Sequence, residues 1–111
     1  MNNDLSGRTI VITGGTSGIG LATAKRFLQV GANVAICGRD NGRLKTAVAD
    51  IRNMFGDENL LGVTCDVLDK QQIEIFVNSV VGRFGGVDTL VNNAGQARLS
   101  TFSTTDDEAW R

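Results

Sequence analysis

The sequence predicts an α/β fold, a doubly wound parallel sheet whose first four strands lie in the order 3-2-1-4. Three observations carry that prediction. Short apolar runs alternate with amphipathic stretches of helical length, the first run leads directly into a glycine-rich turn, and the chemically unusual residues each follow the end of an apolar run. Parallel strands joined by helical crossovers are buried on both faces, so they read as near-continuous apolar runs. In such a sheet the ligand crevice lies outside the carboxyl ends of the strands, at the point where the strand order reverses. Here that point falls between the first and fourth strands.

Arg8 to Ile12 reads as the first strand. Thr13-Gly14-Gly15-Thr16-Ser17-Gly18-Ile19-Gly20 follows it, and a helix-like run from Leu21 to Val30 comes next. Strand, glycine turn and helix are the setting that a dinucleotide-binding loop requires. Gly14 lets the chain turn off the strand with dihedrals that a Cβ forbids, and Gly18 lets the backbone approach a pyrophosphate. Gly20 permits close packing of the helix on the sheet, and the helix start offers free N–H groups and a positive dipole end to the phosphates. The run through Ile19, Leu21, Ala22, Ala24, Phe27 and Leu28 is apolar around much of its circumference, which predicts a deeply packed helix. Gly31 stands where a terminating glycine belongs.

Asn33 to Cys37 reads as the second strand, and Asp40 as the cap of the next helix. Leu44, Ala47, Val48, Ile51 and Phe55 share one face of that helix, which Gly56 to Asn59 interrupt. Leu60 to Cys65 is the third strand. Asp69 then caps a third helix, with Gln72 as its capping-box partner, and Ile73, Phe76, Val77, Val80, Val81 and Phe84 form the apolar stripe. Gly85-Gly86 ends it, and Val87 to Asn92 is the fourth strand. Thr105 to Glu108 has the form of another capping box shortly before Arg111.

Composition excludes several classes. With 11 basic and 12 acidic residues and no basic block, nothing favours a nucleic-acid partner. No apolar run approaches the roughly 20 residues that span a bilayer, and the first residues lack a signal-peptide pattern, so a cytoplasmic protein is expected. Two cysteines and no histidine are too few soft ligands for a zinc site. Cys37 and Cys65 are expected as buried free thiols.

The Gly-x-x-x-Gly-x-Gly spacing, Cys65-Asp66-Val67 after the third strand and Asn92-Asn93-Ala94-Gly95 after the fourth together resemble the short-chain dehydrogenase/reductase family. The resemblance implies a Rossmann fold, with residues 1–111 as the N-terminal dinucleotide-binding part of one domain, truncated before its catalytic half. It implies hydride transfer between a nicotinamide cofactor and a carbonyl or alcohol substrate. It places the cofactor against Gly14, Thr16, Ser17, Gly18, Ile19 and Gly20, with Asp66 accepting from the adenine amino group and Val67 lying against the ring. Asn93, Ala94 and Gly95 would stand beside the ribose. For each polar residue a plainer role is open, Asp66 as a turn cap and Asn93 as a tie between strands.

The family's proton-transferring Tyr-x-x-x-Lys pair has no counterpart, since the chain contains no tyrosine. No catalytic residue is assigned, and the 111-residue piece alone is expected to be inactive. The resemblance also implies a homo-oligomeric complete protein, a tetramer or dimer. A non-catalytic nucleotide-binding sensor or interaction module is the alternative. A methyltransferase with a glycine loop is disfavoured by Asn92 to Gly95 and by the absence of an acid ending the second strand.

The residues after the second strand point to NADP in preference to NAD. An NAD-selective site offers a carboxylate to the ribose hydroxyls there. In the resembling family that acid occupies the place held here by Gly38, and the next residue is Arg39, whose guanidinium can pair a 2′-phosphate.

Overall fold

The computed structural model of the chain describes residues 5–93. They form β1 (Thr9–Thr13), α1 (Gly18–Gln29), β2 (Asn33–Gly38), α2 (Asn41–Phe55), β3 (Leu60–Thr64), α3 (Lys70–Phe84) and β4 (Thr89–Asn92). The strands make one sheet in the order β3-β2-β1-β4, as the alternation of runs predicts. Every pairing is parallel, with Thr9 beside Asn33, Ile10 beside Thr89 and Val34 beside Leu60.

The period of two along each strand divides the core between the two faces. Ile10 and Ile12 of β1 join Val34 and Ile36 of β2 on the face covered by α1 and α2, together with Ala24, Leu44, Ala47 and Ile51. Val11, Ala35 and Cys37 point the other way, toward Phe76 and Val80 of α3. All five residues of β1 are buried, so this central strand has no solvent face. That explains its unbroken apolar run.

Local chemistry fixes the helix ends. Asp40 accepts the backbone N–H of Arg43 at 3.1 Å and so caps α2. Asp69 caps α3 by accepting from Gln71 and Gln72 N–H groups. Gln72 does not close the usual box. Its amide donates to the Asp69 carboxylate at 3.1 Å, while its oxygen accepts the backbone N–H of Asp66 at 2.8 Å, tying α3 to the turn after β3. Gly85 ends α3 in the left-handed conformation.

Several boundaries differ from expectation. The first strand starts at Thr9 rather than Arg8 and runs on to Thr13; Arg8 is exposed and pairs with Asp88 at 3.7 Å. The first helix begins at Gly18, so the last glycines of the loop are its opening turn. It is also less deeply packed than its composition suggests: Gly20 and Ala24 are its buried residues, Leu21, Phe27 and Leu28 are half-buried against the core, and Ile19 is 77% exposed. One helix face meets the sheet, and apolar residues off that face stay in solvent. For the same reason Val81 of the predicted stripe in α3 and Phe55 of the predicted face of α2 are exposed. The third strand stops at Thr64 and the fourth starts at Thr89. The predicted capping box at Thr105 to Glu108 lies outside the described residues.

Candidate cofactor crevice

The loop after β1 is stitched to both neighbouring strands. Gly14 and Gly15 donate their N–H groups to the Cys37 carbonyl at the end of β2, at 3.1 and 3.4 Å. On the other side Asn93 donates its backbone N–H to the Thr13 hydroxyl at 3.0 Å and its side-chain amide to the Gly14 carbonyl at 3.4 Å. The plainer role for Asn93, a tie between strands, is thus present in the structure.

Each glycine of the loop has a separate physical reason. Gly14 turns with φ of +69° and Gly18 with +57°, both in the left-handed region that side chains avoid. A Cβ on Gly18 would meet nothing within 4 Å among the described residues, which leave the space over it open. A Cβ on Gly20 would run into the Gly14 carbonyl oxygen and the Asn93 amide. Gly20 therefore brings the helix start against the loop and β4. Gly15 has a role that the motif spacing does not show, since a Cβ there would lie 2.7 Å from Ile36 Cγ2.

The start of α1 differs from the other two helix starts. Ser17 occupies its N-cap position with no side-chain cap hydrogen bond. Asp40 and Asp69 supply caps to α2 and α3. Uncapped N–H groups at the positive end of a helix dipole suit a phosphate.

A crevice of about 760 Å³ opens beside this loop, within the size range of small-molecule sites. It is lined by Gly14 and Thr16 from the loop, by Cys37 to Asp40 and Arg43, and by Cys65 to Leu68. Among the described residues it therefore spans the carboxyl ends of β1, β2 and β3, and the residues that follow Asn93 at the end of β4 lie outside them.

Of the residues expected to hold a cofactor, Gly14, Thr16, Arg39, Asp66 and Val67 line this crevice. Ser17, Gly18, Ile19 and Gly20 form the adjoining helix start. Ala94 and Gly95 lie outside the described residues. Asp66 fills part of its plainer role too, accepting the backbone N–H of Leu68 at 2.9 Å in a tight turn. Asp40 does not pair with Arg39; one of its carboxylate oxygens accepts the Arg43 N–H that caps α2. Among the described residues, the Arg39 and Arg43 guanidinium groups have no ion-pair or hydrogen-bond partner. Arg43 also lines the crevice and was not singled out by the sequence reading. Its signal was available, four residues after Arg39 in the first turn of a capped helix.

Cys37 and Cys65 are free and buried, as expected, and lie at the floor of the crevice. A hydrogen bond with Cys65 and then burial push the Cys37 thiol upward, so it stays protonated. The same hydrogen bond pulls the Cys65 thiol downward, but both sulfurs are buried, and a reactive cysteine needs an accessible thiolate. Among the described residues no cluster of acidic, cysteine or histidine side chains could hold a metal ion, and no helix is long and apolar enough to cross a membrane.

Residues 8–111 match the family described as short chain dehydrogenase. A chlorophyll(ide) b reductase of Oryza sativa subsp. japonica is 38% identical over 102 residues, covering 90% of this chain and 30% of that protein. The NADPH-bound short chain oxidoreductase of Pseudomonas aeruginosa PAO1, whose catalytic center is described as atypical, superposes with a TM-score of 0.80 at 46% identity, covering 84% of this chain and 36% of that one. L-sorbose reductase of Gluconobacter frateurii, solved with NADPH and L-sorbose, superposes with a TM-score of 0.78 at 42% identity, covering 86% and 36%. The chain thus spans about a third of the length of these relatives.

Proposed function

The chain belongs to the short-chain dehydrogenase/reductase family, and from that premise we propose that it is the cofactor-binding half of an NADP(H)-dependent oxidoreductase. The substrate class is a small carbonyl or alcohol. When bound, the cofactor would give a hydride to a carbonyl or take one from an alcohol, and the residues of this chain bind and orient it. The proposed cofactor set is Gly14, Thr16, Ser17, Gly18, Ile19, Gly20, Arg39, Asp66, Val67, Asn93, Ala94 and Gly95, to which the geometry of the crevice adds Arg43.

One observation carries the reading. Just after β2 and in the first turn of α2 the crevice offers the guanidinium groups of Arg39 and Arg43, which have no partner among the described residues, beside a glycine where an NAD-selective site carries an acid. A 2′-phosphate would meet two bidentate cations and no repelling carboxylate at position 38. The pyrophosphate would lie over Gly18, where the space is open, with the uncapped N–H groups of α1 donating to it. Asp66 would use its carboxylate on the adenine edge while still closing its own turn. The NADPH-bound relatives lend support at the level of the family.

No residue of this chain is proposed to move the reaction's proton. With no tyrosine among its 111 residues, the chain alone is proposed to be inactive, and the catalytic acid to belong to the rest of a complete domain. The test is to supply the full-length protein with NADPH and a panel of small ketones, aldehydes and ketosugars, following loss of the reduced nicotinamide. Turnover on some member supports the oxidoreductase reading. Tight NADPH binding with no turnover across the panel would overturn it in favour of a nucleotide-binding sensor.

A further inference from the structure

Gly38 carries no side chain, and its φ lies outside the left-handed region, so its backbone would accept any residue. The obstacle is space. A Cβ built at position 38 would lie 2.5 Å from the Thr16 methyl, Cγ2, and the next nearest atoms are the Thr16 hydroxyl oxygen at 3.5 Å and its Cβ at 3.6 Å. All three neighbours belong to one residue. The Thr16 side chain rests on the bare face of Gly38, and both residues line the crevice beside Arg39.

We infer that Thr16 is a specificity-determining residue: its methyl group occupies the place of a side chain at position 38 and so keeps a carboxylate from that end of the crevice. The inference deepens the proposed NADP reading and rests on it. Thr16 has limited freedom to yield, because a β-branched side chain is stiff at χ1. Its own backbone belongs to the loop whose neighbours Gly14 and Gly15 are bonded to the Cys37 carbonyl. Shifting the loop to admit a side chain at position 38 would therefore disturb the segment that faces the phosphates. A turn of χ1 that removes the methyl re-aims the hydroxyl as well, and Thr16 lines the crevice. Cofactor choice is thus written in a pair of positions, 16 and 38, and the acid cannot be exchanged alone.

The test is a double-mutant cycle in the full-length protein, combining Gly38→Asp with Thr16→Ala. Thr16→Ala removes the atom at 2.5 Å and keeps the Cβ at 3.6 Å, an ordinary contact. Gly38→Asp alone should lose NADP affinity without gaining NAD affinity. Adding Thr16→Ala to it should raise NAD affinity about tenfold or more over Gly38→Asp alone. Because the charged variant can fail to fold, a second cycle with Gly38→Ala is read as unfolding temperature without any cofactor. Gly38→Ala should lower that temperature by several degrees in the presence of Thr16, and Thr16→Ala should restore at least half of the loss. Equal NAD affinity of Gly38→Asp with Thr16 or Ala at position 16 would overturn the inference, as would an equal unfolding cost of Gly38→Ala in both backgrounds. An unsubstituted protein that binds NAD and NADP equally would overturn the NADP reading, and the unfolding cycle would still decide the Thr16–Gly38 contact.

Discussion

The hydroxyl of Thr13 donates to the side-chain oxygen of Asn92 at 3.0 Å, joining the last residue of β1 to the last residue of β4 across 79 positions of sequence. The same hydroxyl accepts the backbone N–H of Asn93. Thr13 is 1% exposed, Asn92 is half-buried and Asn93 is exposed, so both bonds are part-buried. They hold β4 against the glycine loop at the place where the sheet changes direction, and they set Asn93 within reach of the Gly14 carbonyl.

Thr13→Val keeps the shape of the side chain and removes the hydroxyl. Losing a buried hydrogen-bonding group of this kind costs about 1–3 kcal/mol. Chemical denaturation of the full-length variant should show a loss of that size at an unchanged denaturant slope, and Thr13→Ser should recover most of it. A loss near zero for Thr13→Val would mean that β4 is held by its backbone ladder alone.

Gly18→Val tests the phosphate approach. The substitution places a branched side chain in the open space over the helix start and forces it into a left-handed backbone at φ +57°. Cofactor affinity should fall well over tenfold, measured by calorimetric titration of a variant whose circular dichroism remains that of a folded protein. Unchanged affinity in the folded variant would leave the loop as a turn and nothing more.

Arg43→Ala tests the second guanidinium. If Arg43 shares the 2′-phosphate with Arg39, its loss should weaken NADP binding by roughly tenfold, the size of one charge-assisted contact, and leave NAD binding within about twofold. Because the Asp40 cap uses the backbone N–H of Arg43, that cap survives the change of side chain. Equal losses for both cofactors would place Arg43 in the architecture of α2 rather than on the phosphate.

Much of the fold was legible because its determinants are local. The continuous run of β1 reflects burial on both faces, the acids Asp40 and Asp69 announced two helix starts, and Gly14 marked a positive-φ turn off the first strand. Of the candidate crevice, the lining residues that follow strand ends, Gly14, Arg39, Asp66 and Val67, were legible. What stayed hidden depends on contacts between residues distant in sequence. Nothing near Gly15 reveals that Ile36 leaves no room for a Cβ, and nothing near Gly38 reveals that Thr16 fills its missing side chain. The shallow packing of α1 was missed for a related reason: composition gives the apolar content of a helix, while the sheet decides how wide a face it covers.

The most direct measurement of the central claim is a titration of NADP and NAD into the full-length protein and into Arg39→Ala. Arg39 lines the crevice next to Gly38 and is free of any carboxylate among the described residues. The unsubstituted protein should favour NADP by about ten- to a hundredfold, the contribution of one good charge-assisted contact, and Arg39→Ala should lose most of that ratio through weaker NADP binding. Equal affinity for the two cofactors, or a ratio that survives the substitution, would contradict the account.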